Sequence, residues 1–164
     1  MSIVYVDKGF GLHLAISAAG HWLVDRDGVW VSSDDTAVQA IIDGYTLSQA
    51  KAEKKREVSA MARTKYDTVT AGISAAEMAG WPILLSEAVA YRAGSTTHPA
   101  LDAEASIRGI TVDALVQKVE SNAVAFQAAR AAIAGTDGKK RDEIDALASF
   151  EAVAAYDVAG GWPL

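Results

Sequence analysis

The chain has 164 residues, enough for one ordinary hydrophobic core or for a small N-terminal unit with a helical body. Fifteen Lys and Arg against twenty-one Asp and Glu leave a formal charge of −6, which argues against DNA phosphates or anionic lipid as general partners. The absence of Cys excludes disulfides.

The first residues carry Asp7 and Lys8 and lack the basic start, apolar stretch and small-residue cleavage site of a signal peptide, so general secretion is not expected. The longest run without a charge apart from Glu77, Thr68 to Ser86, contains Gly72, Gly80 and Pro82. It falls short of the about 20 clean apolar residues that span a bilayer, so no membrane helix is expected.

In chain order, residues 2–33 read as β. Ile3–Val6, Gly11–Ser17, His21–Asp25 and Val29–Ser32 are short apolar or alternating runs. Asp25, Arg26, Asp27 and Gly28 form the strongest hairpin signal, because Asp and Gly tolerate the positive φ angles of tight turns. With a weaker turn at Ala18–Gly20, the segment predicts a three- or four-stranded antiparallel meander with Trp22 and Trp30 close across the hairpin.

The period then changes. Val38, Ile41, Ile42 and Tyr45 predict a short amphipathic helix capped by Ser33 or Asp34 and ending near Gly44. Thr46 with Gln49 has capping-box spacing and opens a long helix from Leu47. Its stretch Lys51–Glu57 is too polar to be buried and reads as a bridge between two lobes. Gly80 and Pro82 are expected to interrupt the next segment before a helix over Ile83–Tyr91.

Gly94–Pro99 is the clearest loop. A helix over Leu101–Arg108 ends at Gly109, and Thr111 caps the next, in which Val112, Leu115, Val116, Val119, Ala123, Phe126, Ala129 and Ile133 recur at three- and four-residue steps. That stripe has to be buried against something. The helix is expected to stop at Gly135–Gly138, with a short helix over Lys139–Ala148, a last turn capped by Ser149, and an end at Gly160, Gly161 and Pro163. Thirty-three Ala residues imply close helix contacts. The predicted fold class is α+β: an N-terminal antiparallel β-meander followed by a mostly α-helical body. The predicted organisation is a β-rich unit with a short helix over 1–46, a charged linking helix over 47–66 and a helical domain over 67–164.

Chemistry is sparse. His13 and His21 flank the Ala18–Gly20 turn and could form half a metal site, but no Cys or fixed carboxylate stands beside them, and strand histidines explain them better. His98 has no nucleophile or carboxylate at a telling spacing. Asp25, Asp27 and Gly28 resemble the start of a calcium loop but fail at the sixth and twelfth positions, Trp30 and Thr36. Gly9, Phe10, Gly11 lacks the rest of a phosphate loop. The basic clusters Lys54–Arg56 and Lys139–Arg141 are flanked by acids and read as solvated helix faces, so no nucleic acid is expected. No catalytic residue, cofactor or metal is therefore predicted. Trp22 and Trp30 read as sheet core, whereas Trp81 in Gly-Trp-Pro and Trp162 in a second Gly-Trp-Pro sit in turns where an exposed ring would mark a partner site.

The segments SSDDTAVQAIIDGY, LSQAKAEKKREV and the run from Gly109 to Pro163, with its long helix, Ala-Ile-Ala-Gly, basic turn, aromatic short helix and Gly-Trp-Pro ending, carry a resemblance. The chain resembles tail-fibre assembly chaperones and related small tail proteins of phages and of phage-derived, pyocin-like bacteriocins. The resemblance implies a non-enzymatic helper in the cytoplasm of a bacterial host that binds the distal, C-terminal part of a tail-fibre protein until three fibre chains fold together. The alternative it leaves open is a structural tail or baseplate component retained in the virion. A homo-oligomer is compatible with the Ala-rich stripes, as is a monomer. Partner-contact candidates are Trp22, Trp30, Trp81, Phe126 and Trp162, through an open edge of the residue 2–33 sheet or the helical face around Phe126.

Overall fold

The computed structural model describes residues 3–163. Its fold is α+β: one antiparallel hairpin near the N-terminus and a mostly helical body. The chain divides into two compact units. The first holds residues up to Thr64 together with Gly135–Trp162, and the second holds Lys65–Ala134.

The first unit opens with a correction. The Gly11–Ser17 run is not a strand but the middle of helix α1, Phe10–Ala18, and no meander forms among the described residues. A short apolar run fits either period. Helix wins here because it stacks Leu12 and Ile16, four residues apart, on one face, where both are buried. They pack with Leu23, Val38, Ile42, Tyr45 and Val153. Gly9 enters the helix at φ 82°, and its N–H donates to Asp7 Oδ1 at 2.9 Å.

The hairpin forms as expected. β1, Leu23–Arg26, pairs with β2, Val29–Ser32, with Arg26 opposite Val29, so Asp27 and Gly28 are the two turn residues. Both have positive φ, 56° and 82°, which is the type I′ requirement. The register sets Trp30 opposite Asp25, while Trp22 precedes β1 beside Ser33. Side chains alternate along a strand, so the two tryptophans lie on opposite faces rather than against each other.

α2, Asp35–Gly44, is capped by Asp34, whose Oδ1 accepts from the Thr36 and Ala37 N–H groups at 3.0 Å. Those bonds hold the Asp34 carboxyl below its usual range. The Thr46–Gln49 box opens α3, Leu47–Val69: the Thr46 N–H donates to Gln49 Oε1 at 2.7 Å and the Gln49 N–H to Thr46 Oγ1 at 3.3 Å. Part of its charged stretch is structural, since Lys51 Nζ donates to the Asp145 carbonyl at 2.9 Å and Lys55 pairs with the Asp145 carboxylate at 2.7 Å.

Gly11 lies where α1 runs against Tyr45. A Cβ there would collide with Tyr45 Oη and sit 3.3 Å from Glu53 Cβ. Ala favours helix over Gly by about 1 kcal/mol, whereas overpacking costs about 1–3 kcal/mol. Because buried Tyr45 cannot swing away, Gly11→Ala is expected to lower stability in denaturant titration despite its better propensity.

The second unit is helical. α4, Ala75–Arg92, is capped by Ser74 and retains both Gly80 and Pro82 within it, against expectation. Helix continues because Leu84, Ala88 and Tyr91 beyond the breakers pack on the second core with Leu101, Ala105, Leu115 and Val116. α5, Pro99–Arg108, starts with Pro at its first position and ends at Gly109 with φ 64°. Its free N-terminal donors are met by Glu87, whose carboxylate accepts from Ala100 N–H at 3.2 Å and Leu101 N–H at 2.9 Å.

α6, Val112–Ala146, is the second helix that passes expected breakers: Gly135 and Gly138 lie inside it, and no separate Lys139–Ala148 helix exists. The about 1 kcal/mol that each Gly costs a helix is opposed by contacts that span the site. Arg141 bridges back to Asp137 at 2.9 Å and donates to Ser59 Oγ at 2.6 Å, and Ile144 beyond it is fully buried.

α7, Phe150–Ala155, is capped by Ser149. After it, Lys140 forms a clasp: it is buried, donates to the Asp157 carbonyl at 2.9 Å, and lies 5.3 Å from the Tyr156 ring centre and 6.0 Å from that of Trp162. Tyr156 Oη donates to Glu143 Oε2 at 2.5 Å. Burial, then that bond, pushes the Tyr156 phenol up to about 12 from 10.0. The folded state keeps a proton that the unfolded chain loses near pH 10, so the stabilisation is complete below that pH and disappears as pH rises to about 12. Burial raises Tyr5 and Tyr45 in the same direction. Tyr156→Phe is therefore expected to flatten, not abolish, the alkaline fall in stability seen by pH-dependent urea titration.

Candidate functional site

A groove of about 580 Å³ lies wholly in the second unit, between α4 and α6. Met78, Trp81 and Leu85 of α4 form one wall, and Leu115, Val119 and Phe126 of α6 form the other. Tyr66 of α3 and the Glu104–Arg108 pair of α5, bridged at 2.7 Å, also line it.

The α6 stripe explains why the groove exists. Leu115 and Val116 at its start and Ile133 near its end are buried, but Val119, Ala123 and Phe126 between them are only half-buried. The stripe thus satisfies the core at its two ends and leaves its middle open. Phe126 is the hub of the aromatic lining: the Trp81 ring meets it edge-on at 5.1 Å and the Tyr66 ring at 6.1 Å.

Two cations border the groove without a carboxylate. Among the described residues, Lys118 and Arg130 make no ion pair, whereas Arg92, elsewhere on the unit, is held by Asp113 at 2.9 Å and Glu120 at 3.1 Å. Asn122 and Gln127 complete the polar part of the α6 face.

Of the five expected partner-contact residues, the fold brings together Trp81 and Phe126. Trp30, in the first unit, stacks on Tyr5 at 3.9 Å and 23°. Trp22 is 48% exposed. Trp162 is half-buried, its Nε1 donating to the Val158 carbonyl at 2.7 Å beside Lys140. Sequence reasoning missed Tyr66, Met78, Lys118 and Arg130. The α6 pair could have been found from the stripe, since Lys118 marks one border and Arg130 falls in line with it; Tyr66 carried no such signal.

The histidines are separate and locally engaged. His13 lies on α1 with Nε2 3.1 Å from Tyr5 Oη, His21 pairs with Ser33 Oγ at 3.0 Å, and His98 pairs with Asp102 at 3.0 Å while its ring meets Tyr91. Among the described residues, no group of three or more His, Asp or Glu side chains could hold a metal, and no helix is long and apolar enough to cross a membrane. A smaller cleft of about 70 Å³ in the first unit has its charges internally paired: Lys8 caps the Ile42 and Tyr45 carbonyls and Lys54 bridges Glu57. The α4–α6 groove, by contrast, has an apolar floor and two lining cations that make no ion pair among the described residues. No family model, curated protein or solved structure matches the chain.

Proposed function

We propose that this protein is a non-enzymatic assembly chaperone of a phage-type tail fibre, which holds an apolar segment of the fibre's C-terminal region in the α4–α6 groove. The observation that supports a binding role is the groove itself: an aromatic trio centred on Phe126, with Trp81 and Phe126 half-buried and Tyr66 exposed, presented on helices. The identity of the partner rests on the sequence resemblance across Gly109–Pro163. The task suits such a surface. Intertwined fibre tips depend on long-range β contacts, fold slowly and expose unpaired edges meanwhile, so a partner covering apolar segments suppresses aggregation.

The test is co-expression with the cognate fibre, followed by pull-down and sizing. The expected result is a complex with the fibre chain, soluble fibre trimers only when this protein is present, and its absence from finished particles. A fibre that trimerises equally well alone and is not captured would refute the proposal. Retention in particles at fixed stoichiometry would replace it with a structural tail component.

A further inference from the structure

We infer that the α4–α6 groove takes an amphipathic α-helix whose apolar stripe is bordered by carboxylates. This deepens the functional proposal, on which the identity of the partner, though not the chemistry of the site, depends.

Three observations carry it. The first is backbone chemistry. Both walls are helices, whose main-chain donors and acceptors are consumed within α4 and α6 except at Pro82, which has no N–H to offer the Met78 carbonyl. A strand laid in this groove would find no ladder to join and would desolvate its own N–H and C=O groups without partners. A helix brings its backbone already satisfied, so helix-in-groove is the mode these walls admit.

The second is shape. The α6 residues facing the groove, from Leu115 to Arg130, recur at three- and four-residue steps. At 1.5 Å per residue the face is about 22 Å long, the length of about four helical turns. Met78, Trp81 and Leu85 run beside it on α4 at the same spacing. Two helices with a ridge-and-groove trough between them are what a third packs into.

The third is charge. At 3.6 residues per turn, Lys118 lies on one border of the α6 stripe, and Arg130, about 120° further round, lies in line with the stripe at the C-terminal end of the groove. Among the described residues neither has an anionic partner, in a protein whose net charge is −6. With Glu104 bridged to Arg108 and Glu77 of α4 the other lining carboxylate, Lys118 and Arg130 leave the groove net positive, which favours an occupant with carboxylates beside its stripe and opposes one with Lys or Arg there.

The test titrates the full-length protein against two fluorescently labelled peptides by anisotropy. Both are helices of about 16 residues with one Leu stripe, bordered in one by Glu and in the other by Lys. At about 50 mM salt, the Glu peptide is expected to bind about tenfold more tightly, and at about 500 mM the gap should close. The double variant Lys118→Glu, Arg130→Glu changes two exposed positions and should reverse the preference, while circular dichroism confirms an unchanged fold. Phe126→Ala should weaken both peptides.

Equal affinity for the two peptides, or a preference indifferent to the double variant, would overturn the inference. The fibre pull-down separates the two proposals. Capture of fibre that survives the double variant and Phe126→Ala leaves the chaperone role standing and removes this site. Peptide discrimination without fibre capture does the reverse.

Discussion

Leu12→Ala is expected to cost about 3 kcal/mol, within the about 2–5 kcal/mol typical of buried Leu truncations. Leu12 has no exposed surface, and its side chain closes the first core together with Ile16, Val38, Ile42, Tyr45 and Val153. These neighbours come from α1, α2, the α2–α3 connection and α7, so the void left by three lost carbons cannot be filled by moving one element alone. The cost therefore combines lost transfer free energy with a residual cavity. Leu14→Ala on the same helix is the control. Leu14 is 40% exposed and outside that cluster, so its truncation should cost less than about 1 kcal/mol. Because the chain forms two compact units, native-state amide exchange at Ile16 and Ile42 is a better readout than a single melting curve. Equal losses for the two variants would contradict the placement of α1.

Lys140→Met is the second large effect, about 2 kcal/mol. Lys140 is 7% exposed and donates to the Asp157 carbonyl at 2.9 Å, between the rings of Tyr156 and Trp162. Met keeps most of the aliphatic stem, so the loss isolates the ammonium. A hydrogen bond from a charged donor contributes about 1.5–3 kcal/mol, and the ring contacts add about 0.5–1 kcal/mol. The Asp157 carbonyl is also left without that donor. Lys139→Met is the internal comparison: that side chain is 77% exposed and reaches Glu143 only at 3.7 Å, so its loss should be under about 0.5 kcal/mol. Denaturation measures the stability difference. Trp162 fluorescence should shift red in Lys140→Met and stay fixed in Lys139→Met.

Both effects arise from residues that meet across long stretches of chain, and this separates what was legible in the sequence from what was not. Local signals were read correctly where a few adjacent residues decide the outcome. Asp27-Gly28 specifies its turn by tolerating positive φ. Asp34, the Thr46–Gln49 pair and Ser149 start helices because their side chains reach free N–H groups two or three residues on. Gly109 ends α5 because it adopts the left-handed conformation without a Cβ clash.

Reading failed where a local preference of about 1 kcal/mol met tertiary packing. Gly11–Ser17 has strand-like composition, yet α1 forms because Leu12 and Ile16 find Val38, Ile42 and Val153 on one side. Gly135 and Gly138 should end a helix, yet α6 continues because Arg141 and Ile144 beyond them are held by Ser59 and by burial. Gly80 and Pro82 concealed the α4 wall of the groove in the same way.

For the groove, the sequence alone determined that Val112–Ile133 carries an apolar stripe, since periodicity is a property of neighbours at three and four residues. Only the tertiary structure decided that the stripe is covered at Leu115, Val116 and Ile133 and open at Phe126, and that Trp81 and Tyr66 stand beside it. The physical reason is that burial is a sum over contacts between distant segments, whereas caps, turns and periods are settled within one turn of the chain.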